Sequence, residues 1–147
     1  PAWPSCAAGV RLRVVAGLAG ARWCGLAASC VVGAGGAQGL VSSRAPLPGG
    51  SVTFLVASRG SLVRELVVLP LSGNQSVGNR PVGADGKIDE AGSVGEASNS
   101  CGQGAGDGIR PGATSWVTST LAPGRYELVC NLAGHYEAGM FTEITVS

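Results

Sequence analysis

No stretch of this sequence repeats an apolar residue every third or fourth position over the length a helix needs. Its apolar residues fall instead into short runs, rich in Val and closed by Gly or Pro, which is the pattern of strands joined by turns. Val is branched at Cβ and packs best on a pleated surface. With Gly at 25 of 147 residues and aromatics at only 5%, the core has to be built from such small branched side chains. No Gly-X-Y period runs through the chain, and 45% hydrophobic against 13% charged residues excludes a collagen-like fibre and a solvated tail.

Val10 to Val15 is the first expected strand, with weaker ones at Ala28 to Val32 and Gly39 to Ser43. The turn Pro46-Leu-Pro-Gly-Gly50 feeds Ser51 to Ala57, where Val52, Phe54 and Val56 alternate with Thr53 and Leu55. Leu62 to Leu71 is the longest apolar run. As a strand it sets Leu62, Arg64, Leu66 and Val68 on one face and Val63, Glu65, Val67 and Leu69 on the other. Ser115 to Leu121, Arg125 to Cys130 and Phe141 to Val146 complete the set, with a Pro123-Gly124 turn between the first two. Seven or eight short strands with Gly/Pro turns indicate an all-β, Greek-key β-sandwich, one domain over residues 1–147.

Residues 72–111 change in character to Gly, Ser, Asn and acids and are expected to form a long loop insertion with a turn at Asp85-Gly86. Its glycine-dense part, Cys101-Gly-Gln-Gly-Ala-Gly-Asp-Gly108, is not a phosphate-binding loop: no strand feeds it and no Gly-Lys-Ser/Thr ends it. Asp85, Asp89 and Glu90 lack a calcium-loop spacing and are expected to be solvated turn acids.

Charge is divided between the halves of the chain. Residues 1–64 carry six Arg and no acid, and residues 65–147 carry four bases and nine acids. The Arg residues are scattered, without Lys clusters or interleaved aromatics, so nucleic acid is not the expected partner. Val14 to Ala37 is apolar enough to invite a membrane reading, but it is rich in Gly and Ala, and Arg22 near its centre would cost about 2.5 to 3.5 kcal/mol on insertion. Gly-punctuated strands are the expected reading. Membrane association through Cys6 stays open, although Ala2-Trp-Pro-Ser5 is a poor match to a lipoprotein cleavage site.

Five cysteines (6, 24, 30, 101 and 130) are many for a cytosolic chain of this size, and an odd count divides into paired thiols and one left for chemistry. Cys130 is the candidate for the latter. The other four admit three pairings, of which Cys6 with Cys101 and Cys24 with Cys30 is favoured, implying an oxidising, extracytoplasmic compartment. The chain begins at Pro1 without a basic-then-apolar leader ahead of it, as expected of a mature or trimmed product.

The one His and the one Met of the chain both lie within ten residues of Cys130, in Cys130-Asn-Leu-Ala-Gly-His135-Tyr-Glu-Ala-Gly-Met140. A strand ending in Cys, followed by a tight loop bearing His and then Met, can aim thiolate, imidazole and thioether at one point. Copper suits that donor set, with Cys and His in a trigonal plane and a long axial Met bond. Gly134 and Gly139, each just before a candidate ligand, would supply the backbone freedom such a loop needs.

At these residues the sequence resembles the cupredoxins, the blue copper electron carriers. The resemblance is carried by the Cys-x4-His-x4-Met loop, by Ala122-Pro-Gly-Arg-Tyr-Glu-Leu-Val129 ahead of it, and by Gly50-Ser-Val-Thr-Phe-Leu-Val56 and Ser61-Leu-Val-Arg-Glu-Leu-Val-Val68 upstream. It spans about residues 46–71 and 114–147 and implies a copper site near one end of a β-sandwich, shuttling single electrons outside the cytoplasm with a redox or copper-handling protein as partner.

The resemblance also implies a fourth ligand, a His, at the position that holds Arg64 here. A guanidinium stays protonated in proteins and offers no lone pair, so Arg64 cannot ligate. At ~4 Å and an effective dielectric of 20, it repels a singly positive Cu(II)-thiolate by about 4 kcal/mol, whereas neutral Cu(I)-thiolate escapes most of that. One copper ion, weakly held and favouring the reduced state, is therefore expected on Cys130, His135 and Met140. In the metal-free protein Arg64 is expected either to stabilise the Cys130 thiolate and raise its reactivity or to reach solvent at the rim, paired with Glu137. Tyr136 is expected to be loop packing.

Two further readings share this frame: a metal-free binding or scaffold module, and a Cu(I) carrier. Enzymatic function is not expected, since the single His belongs to the copper loop and no Ser lies in a Gly-x-Ser-x-Gly frame.

Overall fold

Val52, Phe54 and Val56 are fully buried while Thr53 between them is partly exposed, so the alternation along this run is realised as a strand with one face on the core. The computed structural model describes residues 10–16, 40–41, 46–58, 61–97 and 108–147. In chain order the strands are β1 (Val10–Ala16), β2 (Leu40–Val41), β3 (Gly50–Ser58), β4 (Leu66–Leu71), β5 (Gly95–Ala97), β6 (Thr114–Leu121), β7 (Gly124–Val129) and β8 (Phe141–Val146). No helix occurs among the described residues.

The strands form two four-stranded sheets, ordered β2-β1-β3-β6 and β5-β4-β7-β8. All pairings are antiparallel except β1 with β2. The chain passes between sheets from β3 to β4, from β5 to β6 and from β6 to β7, as a Greek-key sandwich requires. Between the sheets, Val52, Phe54, Val56 and Val117 face Leu66, Val68, Tyr126, Leu128, Ile144 and Val146. Across the exposed face of the first sheet, the opposed Thr53 and Thr118 hydroxyls bond at 2.8 Å.

Two expectations need correction. The strand expected from Leu62 begins at Leu66, because the backbone of Arg64 pairs with Ile109 in an isolated bridge and draws the preceding residues out of the sheet. Leu62 is accordingly exposed and does not share a buried face with Leu66 and Val68. Nor is 72–111 only a loop. It supplies β5, whose Gly-Glu-Ala sequence has little strand propensity and is held by pairing with Leu66 to Val68. Its 82–88 hairpin, closed by the Asp85-Gly86 turn, packs Ile88 and Val82 against Val67, Leu69, Val129 and Tyr136. The second sheet is thus covered on both faces, which is why β4 is buried at every position except Pro70.

Other expectations fall on residues outside those described: the Ala28 to Val32 strand, the two disulfide pairings and the glycine-dense stretch from Cys101. Among the described residues there is no disulfide, Cys130 is a free thiol, and no helix is long and apolar enough to cross a membrane.

Candidate metal centre

β7 ends at Val129 and β8 begins at Phe141, so the two strands hold the ends of the 130–140 loop together. The Cys130 amide donates to the Met140 carbonyl at 2.9 Å, the Met140 amide to the His135 carbonyl at 3.1 Å, and the His135 amide to the Leu132 carbonyl at 2.9 Å. This succession of turns places Gly134 at φ 77 and Gly139 at φ 91, in the left-handed region where a Cβ is disfavoured, as their spacing predicts.

The loop brings Cys130 and His135 together: Sγ lies 3.2 Å from Nδ1. Met140 is completely buried in the same apolar cluster as Cys130, with Ile109 and Leu132. Among the described residues no group of three or more His, Cys, Asp or Glu is arranged to hold a metal. The soft or borderline donors that the described residues bring to this end of the sandwich are the Cys130 thiol, the His135 imidazole and the Met140 thioether.

Arg64 enters from the neighbouring connection, anchored through its backbone to Ile109, with Nη1 donating to the Val63 carbonyl at 3.2 Å. At 1% exposure it does not reach solvent at a rim, contrary to that expectation. At the thiol, burial outweighs the stabilising pull expected of Arg64. Burial pushes the Cys130 thiol above its ordinary value, opposed by the Glu65 and Leu132 amides, and the pull of Arg64 is the weakest influence. Burial, and secondarily Arg64, lowers His135 and favours its neutral form, the form that ligates.

Several residues around the loop have contacts that their sequence positions did not indicate. The Glu65 amide donates to Cys130 Sγ at 3.4 Å, and its buried carboxyl is pushed up to about 7 by desolvation and by Glu96 and Glu90. Glu90 is not merely a solvated acid, since its Oε1 accepts from Asn131 Nδ2 at 2.6 Å, whereas Asp85 and Asp89 cap local turns as expected. Glu127, 0% exposed, accepts from Arg80 Nε at 2.6 Å, from the Tyr136 hydroxyl at 2.8 Å and from the Gly78 amide at 2.7 Å. Tyr136 packs on Phe141 as expected of a loop aromatic, but its hydroxyl is engaged as well, and burial with Glu127 beside it pushes its pKa up to about 12. An acid in the middle of an apolar strand, as Glu127 is in Tyr-Glu-Leu-Val, was the one visible hint of a buried network.

The family model of the sulfocyanin (SoxE) domain matches residues 27–147. The match runs through 72–111, which carried little of the resemblance legible in the motifs. No curated protein and no solved structure matches the chain.

Proposed function

The chain belongs to the sulfocyanin (SoxE) domain family, a cupredoxin-type family of blue copper domains, and on that premise we propose that it is an extracytoplasmic protein that binds one copper ion and transfers single electrons to a redox or copper-handling protein. The observation that carries this is the 3.2 Å approach of Cys130 Sγ to His135 Nδ1. The donor chemistry fits: a soft thiol, an imidazole with its ring nitrogen turned to the sulfur, and a thioether buried in the same cluster suit copper better than a hard cation.

Cys130, His135 and Met140 would hold the metal. Copper bound there supplies a one-electron couple. The protein's own groups do the rest. The apolar cluster around Cys130 excludes water, and the Glu65 amide offers a fixed dipole to the sulfur. Half-buried His135 gives the only partly solvent-facing side of the donor set. Arg64, a buried cation influencing both Cys130 and His135, opposes added positive charge and so favours the reduced state.

Adding stoichiometric Cu(II) to the purified protein is expected to produce an intense visible thiolate-to-copper band, and Arg64→His to strengthen it. If neither protein colours, the electron-transfer reading fails. The burial of Arg64 also favours a second reading, Cu(I) carriage. An anaerobic Cu(I) titration against a competing chelator separates the two: competition by Cu(I) with no Cu(II) colour supports carriage, and no competition removes it.

A further inference from the structure

The two donors that meet in the loop are each followed by a side chain turned away from them. Asn131, after Cys130, accepts from the Ile88 amide at 2.8 Å and donates to the Ile88 carbonyl at 2.9 Å as well as to Glu90. Tyr136, after His135, donates to Glu127 and accepts from the Arg80 amide at 3.1 Å. Between these two points the Gly134 amide donates to the Gly86 carbonyl at 2.9 Å. Every one of these contacts except that with Glu127 is made to residues 80–90, and Glu127 is itself bonded to Arg80.

That stretch is fixed in its own right. Ile88 and Val82 are seated on Val67, Leu69 and Val129 of the second sheet, and Arg80 Nη2 donates to the Pro70 carbonyl at 2.7 Å. A purely apolar contact tolerates slip, whereas a buried side-chain hydrogen bond holds only within a narrow range of distance and angle. With one such attachment directly after each donor, a shift of either attachment rotates the donor beside it.

We propose that Asn131 and Tyr136 are the positioning residues of Cys130 and His135, and that residues 80–90 are the template on which the metal loop is shaped. The consequence for copper rests on the function proposed above, while the shaping of the loop does not. Removing a side chain that orients a metal ligand typically weakens metal binding 10- to 100-fold. Tyr136→Phe keeps the ring on Phe141 and loses only the hydroxyl; Asn131→Ala loses the Ile88 and Glu90 bonds. Tyr126→Phe is the control, deleting one hydroxyl bonded to the Ala122 carbonyl away from the loop.

The experiment measures Cu(II) affinity and the thiolate-to-copper band in all four proteins, together with amide hydrogen exchange of the metal-free forms at Gly134, Ala138 and Met140. The expected result is a 10- to 100-fold rise in dissociation constant and a displaced band for Tyr136→Phe and Asn131→Ala, with faster exchange at those amides, and neither change for Tyr126→Phe. Copper binding and loop exchange that match the parent in Tyr136→Phe overturn the proposal, as does an equal effect of the control. If the parent binds no copper, the function fails separately, and exchange alone decides: acceleration confined to Tyr136→Phe and Asn131→Ala upholds the template, and its absence removes it.

Discussion

The backbone amide of Glu65 donates to the sulfur of Cys130 at 3.4 Å, joining residues 65 positions apart. The sulfur therefore sits where the lead-in to β4 meets the end of β7, and the residue before that amide is the buried Arg64. A thiol so enclosed is shielded as well as oriented.

Alkylation should report that shielding. Cys130 has no exposed surface and a thiol pKa raised by burial, so in the metal-free protein its reaction with iodoacetamide, followed by peptide mapping, is expected to be at least ~100-fold slower than in denaturant. Labelling at the unfolded rate would contradict the burial of the site.

Stability should depend on pH through Glu65. Its carboxyl holds a proton more tightly in the folded state, with a pKa raised from 4.5 to about 7, so the stabilisation is complete below 4.5 and is lost as pH rises toward 7. At 1.36 kcal/mol per unit this amounts to about 3 kcal/mol. Denaturant melts of the metal-free protein at pH 4.5 and 8 should differ by that order, and Glu65→Gln should remove most of the difference.

Arg80→Ala should be costly. Glu127 stands directly opposite Glu143 in the β7–β8 register, and each carboxylate is answered by its own arginine, Arg80 at 2.6 Å and Arg125 at 2.7 Å. Removing Arg80 leaves a fully buried charge without its counterion, a loss of about 3 to 5 kcal/mol. The double variant with Glu127→Gln should recover part of it, and a chemical denaturation cycle over the four proteins measures the coupling.

Met140→Leu separates packing from ligation. The exchange nearly conserves volume at a fully buried position, so stability should change by less than about 1.5 kcal/mol. The copper band and reduction potential should nevertheless move, since Leu has no donor. A copper-loaded spectrum identical to the parent's would exclude the thioether from the donor set.

The strand pattern and the Cys-His-Met spacing were legible because both are local. Alternation of Val52, Phe54 and Val56 with Ser51 and Thr53 reflects one buried face, and Gly134 and Gly139 sit at positive φ where the loop has to turn. The start of β4 was not legible, since the cause is a backbone partner at Ile109, in another part of the chain. β5 was hidden for the same reason, its weak propensity being overridden by the edge it pairs with.

By itself, then, the sequence determined the fold class, the turn positions and which side chains have the chemistry to meet a metal, because side-chain type and periodicity act over a few residues. Only the tertiary structure decided that Arg64 is buried, that burial raises the Cys130 thiol, and that residues 80–90 are hydrogen-bonded to the 130–140 loop. Desolvation and buried hydrogen bonds depend on what distant segments bring to the same place, and no local pattern encodes that.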